Sequence, residues 1–222
     1  MNLVSKENNF LYLTVGIVLL LFVGAISDQF SDLIGHQLVQ AFSVINIAVG
    51  IYGFKSKGML FHSKIGILLA IFSVLVIGVI LELLKLYYLH LILLFVFYLW
   101  AIWLAAEQVL IDDVKTVDAN RIVGAICIYL LMGLIWALMY LFIAQAIPGA
   151  FNGVEQLVWY DNFADVAYYS YVTLTTLGYG DISPVAPIAR FLVYMEAVVG
   201  VFYMAILVAS LIGVGVSGAR KN

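Results

Sequence analysis

Charge is what this chain has least of. Only 10% of its 222 residues are charged, against about 25% in soluble domains. Hydrophobic residues make up 65%, and mean hydropathy is +1.13. These values exclude an ordinary soluble domain and point to an integral membrane protein. Cysteine is almost missing: Cys127 stands alone in an apolar run, so an intrachain disulfide is impossible and a buried inert thiol is expected. The sequence holds no Cys/His cluster, no paired carboxylates at a site and no phosphate-binding loop. An enzyme, a metal centre and a cofactor are therefore not expected. No basic tract offers a surface for nucleic acid, and the net charge of −3 is confined to loops.

What is present is a series of apolar runs. A membrane-crossing helix needs about 20 such residues, and runs of that order fall at about 10–26, 36–54, 65–81, 86–106, 122–147 and 186–214. The connections carry the charge: Asp28 and Asp32; a basic turn with Lys55, Lys57, His62 and Lys64; Glu82 and Lys85; and a longer stretch, 107–121, with Asp112, Asp113, Lys115 and Asp118. With both termini cytoplasmic, Lys6, Lys55, Lys57, Lys64, Lys115, Arg121, Arg220 and Lys221 lie inside, and only Lys85 and Arg190 lie outside. That asymmetry is the positive-inside rule. The expected organisation is a four-helix membrane scaffold (1–106), a cytoplasmic linker (107–121) and a second membrane unit (122–222).

One apolar segment is too short to cross. Phe163 to Leu174 makes about 18 Å of helix. Asn162 is its expected N-cap, with Asp165 three residues on as in a capping box. Trp159 and Tyr160, just before it, are expected interface anchors. Its last two residues open the run Thr173-Leu174-Thr175-Thr176-Leu177-Gly178-Tyr179-Gly180-Asp181. A dehydrated potassium ion needs oxygens in place of its water shell, and rings of backbone carbonyls supply them. Turning successive carbonyls to one side needs backbone angles closed to most residues, which accounts for Gly178 and Gly180. Five extended residues cover at most roughly 17 Å of a hydrocarbon core of about 30 Å. A wider cavity must supply the rest.

This run resembles the signature of the potassium channel family, Thr-Val-Gly-Tyr-Gly, with Leu177 where the family usually carries Val. The resemblance is strong over about 163–213 and weak over the first 120 residues. It implies an all-α membrane protein with six transmembrane helices, a re-entrant pore helix and a selectivity filter, in a tetrameric cation-channel architecture. It further implies potassium held by Thr176, Leu177, Gly178, Tyr179 and Gly180, with Thr173, Thr175, Asp181 and Tyr168 as filter support, Asp181 bonded behind the outer mouth with Tyr168 as its candidate partner. Tyr168, Tyr169 and Tyr171 read as an aromatic cuff.

Two residues of the last span stay open between readings. Glu196 is either a structural hydrogen-bonding carboxylate behind the filter or part of gating; Gly200 is either a helix hinge or a point of close packing. The fourth span carries no Lys or Arg between Lys85 and Lys115, so charge-transfer voltage sensing by it is not expected. His90, near one end of that span, reads as an interfacial residue. The expected function is a passive potassium-selective channel subunit in a plasma membrane, bacterial from its compact loops. The expected partners are three further copies, the lipid bilayer and any separate regulatory subunit. The alternatives are a less selective cation channel and a non-conducting channel-like sensor or partner subunit.

Overall fold

The computed structural model describes residues 9–27, 35, 38–43, 45–46, 84–107, 109, 119–155 and 158–219. Five helices organise them: α1 (Asn9–Ser27), α2 (Leu84–Ala106), α3 (Ala119–Ala146), α4 (Phe163–Leu174) and α5 (Pro187–Ala219). Four, all but α4, are long and apolar enough to cross a membrane. The expected third span, 65–81, lies outside the described residues. Of the expected second span, 38–43 and 45–46 are helical and the rest lie outside them.

α3 is the axis of the fold. Cys127, Ile128, Leu131, Leu134, Leu138 and Leu141 are all buried, and α1, α2, α4 and α5 all pack on it. α1 meets it through Phe10, Leu13, Ile17 and Leu20, a stripe at helical spacing. Its opposite side presents Leu11, Val15, Val18 and Phe22, apolar and exposed, as a lipid-facing surface requires. α2 repeats the pattern, with Leu91, Leu94, Tyr98, Ala101 and Ala105 inside and Ile92, Val96 and Trp103 outside. The core is continuous from α1 through α3 to α4. At one crossing Gly24 of α1 lies so close to the Phe163 ring that a Cβ would sit 3.0 Å from it.

α3 stops at Pro148-Gly149, since proline cannot continue the ladder and Gly149 adopts φ +72°. The chain then forms a two-stranded antiparallel ladder, β1 (Phe151–Asn152) with β2 (Ser183–Pro184). Phe151 pairs with Pro184 and Asn152 with Ser183. The Ala150 carbonyl accepts from the Val185 and Ala186 amides at 2.8 and 3.1 Å. These bonds tie the two ends of the α4 region together before α5 departs.

The start of α4 differs from expectation. Asn162 occupies the N-cap position, its carbonyl accepting from Val166 N–H at 3.0 Å, but its side chain makes no cap. The Asn162 amide instead donates to the Glu155 carbonyl at 2.9 Å, holding the preceding loop. Trp159 is likewise no interface anchor: it is 1% exposed, because the loop folds back over α2 and sets its ring edge-on to His90 at 5.1 Å. His90 is buried for the same reason, with Ser43 Oγ 3.5 Å from Nε2.

Candidate functional site

The C-terminal end of α4 does not finish with free carbonyls. Thr175 N–H donates to the Tyr171 carbonyl at 3.0 Å and Thr176 N–H to the Thr173 carbonyl at 2.9 Å. The Val172 carbonyl accepts from both Leu177 N–H (2.9 Å) and Gly178 N–H (3.3 Å). The Thr175 hydroxyl also turns back, 2.7 Å from the Tyr171 carbonyl, and Thr173 is buried against the core. The first three amides of the Thr176–Gly180 run are thus spent on the end of the helix.

The run itself alternates in hand. Thr176, Gly178 and Gly180 take φ of +61°, +56° and +83°, while Leu177 and Tyr179 between them keep negative φ. Carbonyls that alternate sides along a strand are brought toward a common side when every second residue reverses hand. Glycine enters that conformation freely. Thr176 does not: a non-glycine residue held there stores of order 1–3 kcal/mol, a strain found mostly at functional sites. The two glycines are readable as such from sequence, but the strain at Thr176 is not, because nothing in a threonine announces positive φ. The run lies bare on this chain, with Leu177 56% and Tyr179 67% exposed.

Beyond the run, Tyr168 Oη donates to Asp181 Oδ2 at 2.8 Å. That bond is the main reason the Asp181 carboxyl is held below the usual carboxylate range. The Asp181 carbonyl is approached so closely by Gly153, at φ +81°, that a Cβ there would stand 2.7 Å from it. The three tyrosines of α4 do not form one cuff. Successive helical residues diverge by about 100°, so Tyr168 reaches Asp181 while Tyr169 packs between Tyr140 and Phe151. Tyr171 lies over Gly133 and donates to the Leu130 carbonyl at 2.6 Å.

α5 meets the site along one line. Glu196 is fully buried, accepting from the Tyr140 hydroxyl of α3 and lying 2.6 Å from Ser170 Oγ of α4. One turn on, Gly200 abuts the end of α4: a Cβ on it would collide with the Leu174 carbonyl oxygen. Tyr129 of α3 donates to that same carbonyl at 3.2 Å. Nearly another turn on, Tyr203 stacks on Tyr129 at 5.7 Å and donates to the Ala125 carbonyl at 2.6 Å. Sequence reasoning identified Glu196 and Gly200 but missed the Glu196 partners Tyr140 and Ser170, and Tyr203 further along α5, because a polar side chain in an apolar run carries no local mark of what it bonds. Among the described residues no group of His, Cys, Asp and Glu is placed to hold a metal ion.

A family model described as "Ion channel" matches residues 124–216, which take in most of α3, the ladder, α4, the run and most of α5. The chain is 35% identical over 85 residues to the inward rectifier potassium channel Kirbac3.1 of Paramagnetospirillum magnetotacticum. That match covers 38% of this chain and 26% of the relative, so the chain spans about a quarter of that protein's length. No solved structure matches the chain. The resemblance to the potassium channel family read from the sequence is borne out by these two findings.

Proposed function

We propose that this chain, of the potassium channel family in its C-terminal portion, is one subunit of a passive potassium-selective channel. The observation that carries the reading is the alternation of backbone hand at Thr176, Gly178 and Gly180, in a bare run anchored to the end of a short buried helix. Four copies around an axis would turn the carbonyls of Thr176 to Gly180 into stacked rings that replace an ion's hydration shell. In this reading α4 is a re-entrant pore helix. Its C-terminal end carries the partial negative charge of the helix dipole toward the axis, which favours a cation beneath the rings. Irregular backbone at membrane depth is tolerated where it lines such a pathway.

α5 is the inner helix in this arrangement. Ile188, Tyr194, Val201, Phe202 and Ile206 are exposed on one chain and would be covered by neighbouring copies or face the cavity. Asp181 and Tyr168 brace the outer mouth. In this reading α2 does not sense voltage by moving charge, because it contains no Lys or Arg after Lys85. The subunit belongs in a bacterial plasma membrane with both termini inside, and what opens it is a stimulus other than a charged fourth helix.

The experiment is potassium efflux from liposomes holding the purified protein, with Gly178→Ala in parallel. A Cβ at Gly178 meets no atom of its own chain within 4 Å, and φ +56° is a conformation that a Cβ disfavours, so within the chain the variant tests backbone hand. Potassium-selective efflux from the wild type, abolished in a variant that keeps its oligomeric size, is the expected result. Equal potassium and sodium flux would mean a less selective cation channel.

A further inference from the structure

Glu196 is fully buried midway along α5, and both of its carboxyl oxygens have a neighbour. The Tyr140 hydroxyl donates to Oε2, and Ser170 Oγ lies 2.6 Å from Oε1. The same Ser170 Oγ is 2.7 Å from the carbonyl oxygen of Gly133 on α3. Taken together, these contacts count protons. A serine hydroxyl has one hydrogen to give, a backbone carbonyl can only accept, and an ionised carboxylate can only accept. With Glu196 ionised, Ser170 would leave one of two acceptors opposed to its own lone pairs at hydrogen-bond distance. With Glu196 protonated, every contact has its hydrogen. The carboxylic O–H donates to Ser170 Oγ, Ser170 donates to Gly133, and Tyr140 donates to the remaining carboxyl oxygen.

The surroundings agree. Among the described residues, the titratable groups that bear electrostatically on Glu196 are Tyr129 and Tyr140 from α3 and Tyr169 and Tyr171 from α4, none of them a cation. On α5 itself, Tyr203 is engaged with the Ala125 carbonyl. A carboxylate without a counter-ion at this depth is expensive.

We propose that Glu196 is a neutral carboxylic acid and a positioning residue, whose proton closes the chain Glu196→Ser170→Gly133 and, with Tyr140, locks α3, α4 and α5 together behind the Thr176–Gly180 run. This rests on the channel reading above, since Glu196 acts on conduction only through Ser170 and α4. When the proton leaves, Ser170 must turn its single hydrogen to the carboxylate and release Gly133, and a buried charge remains. The lock therefore weakens as pH rises.

The deciding measurement is an infrared spectrum of the purified wild-type protein at neutral pH, repeated on Glu196→Gln. It requires no flux, so it stands or falls apart from the channel reading. The expected result is the carbonyl stretch of a protonated carboxylic acid, lost from the wild type on alkaline titration and missing from the variant. A wild-type spectrum with ionised carboxylates alone overturns the proposal. The second readout is the pH profile of efflux. A glutamine amide can donate to Ser170 and accept from Tyr140, so Glu196→Gln keeps neutral-pH flux within about twofold and lacks the wild type's alkaline decline, whereas Ser170→Ala loses about fivefold or more. A folded, oligomeric Glu196→Gln without flux, or wild-type flux indifferent to alkaline pH, would assign the carboxylate a different role.

Discussion

α3 and α5 are both long apolar helices of the C-terminal portion, yet they are buried very differently. Within their membrane-length windows 56% of α3 is buried and only 11% of α5. α3 is surrounded by packed side chains from four other helices, whereas α5, beyond the Ala189, Leu192 and Val193 contacts of its first turns, is held along one line: Glu196, Gly200 and Tyr203, spaced four and three residues apart. Two of those three are polar groups bonded across helices, which within a membrane are worth more to specificity of packing than to net stability. Over Pro187–Leu207 the described chain leaves most of this apolar helix uncovered. The difference locates the joint of the fold: α3 is the fixed post, and α5 is fastened along this line to α3 through Glu196 and Tyr203 and to α4 through Glu196 and Gly200.

Breaking the middle point has the largest expected effect. Gly200→Ala drives a methyl into the Leu174 carbonyl oxygen, so backbone must move. Overpacking of that kind costs about 1–3 kcal/mol, while the helix gains about 1 kcal/mol from replacing glycine by alanine. The net expectation is a lower melting temperature in detergent, with reduced flux because α4 is pushed. If Gly200 served only as a hinge, the propensity gain would stand alone and melting temperature would rise. The sign of the shift separates the two readings that the sequence leaves open.

Sharpening the lower point is a smaller perturbation. Tyr203→Phe keeps the ring stacked on Tyr129 and removes only the hydrogen bond to Ala125. The Ala125 carbonyl lies within a helix and can keep its backbone partner, so the loss is that of one bond, about 1 kcal/mol. Thermal unfolding should show a modest decrease. Tyr129→Phe removes a weaker contact, the 3.2 Å bond to Leu174, and should shift it less.

Legibility in the sequence divides along the same line. The long helices are readable because apolar runs of membrane length have few other uses, and α1, α2, α3 and α5 fall close to the expected bounds. α4 is readable from its shortness and from the glycine-bearing run at its C-terminal end. The two glycines of that run are readable because the required backbone favours glycine over residues that carry a Cβ. Which way each polar side chain turns is not readable. Asn162 has the composition of a cap, yet its amide serves the Glu155 carbonyl. His90 and Trp159 have the composition of interface residues, yet they bury each other, because their contact joins residues far apart in sequence. Tyr140, Ser170 and Glu196 come from three helices, so no local pattern could have joined them.

The outer mouth is the counterpoint to that buried line, and it carries the smallest expected effect. Tyr168 and Asp181 are exposed, and their 2.8 Å bond is shared with solvent. The bond holds the Asp181 carboxyl below its ordinary value. A depressed carboxyl contributes stability that is present above its unfolded-state value and is lost as pH falls through the folded one. The Asp181 contribution therefore persists at neutral pH and disappears only on the acid side of the ordinary carboxylate range. Tyr168→Phe removes the main cause of the shift, so the Asp181 titration midpoint, followed by NMR of a selectively labelled sample, should rise toward about 4. Melting temperature at neutral pH should scarcely change, because exposed contacts of this kind contribute little. A midpoint that stays put would show that the backbone amides near Ile182, rather than the tyrosine, hold the carboxylate in place. An effect on melting as large as that of Gly200→Ala would erase the contrast itself, since the mouth would then be as firmly built as the line along α5.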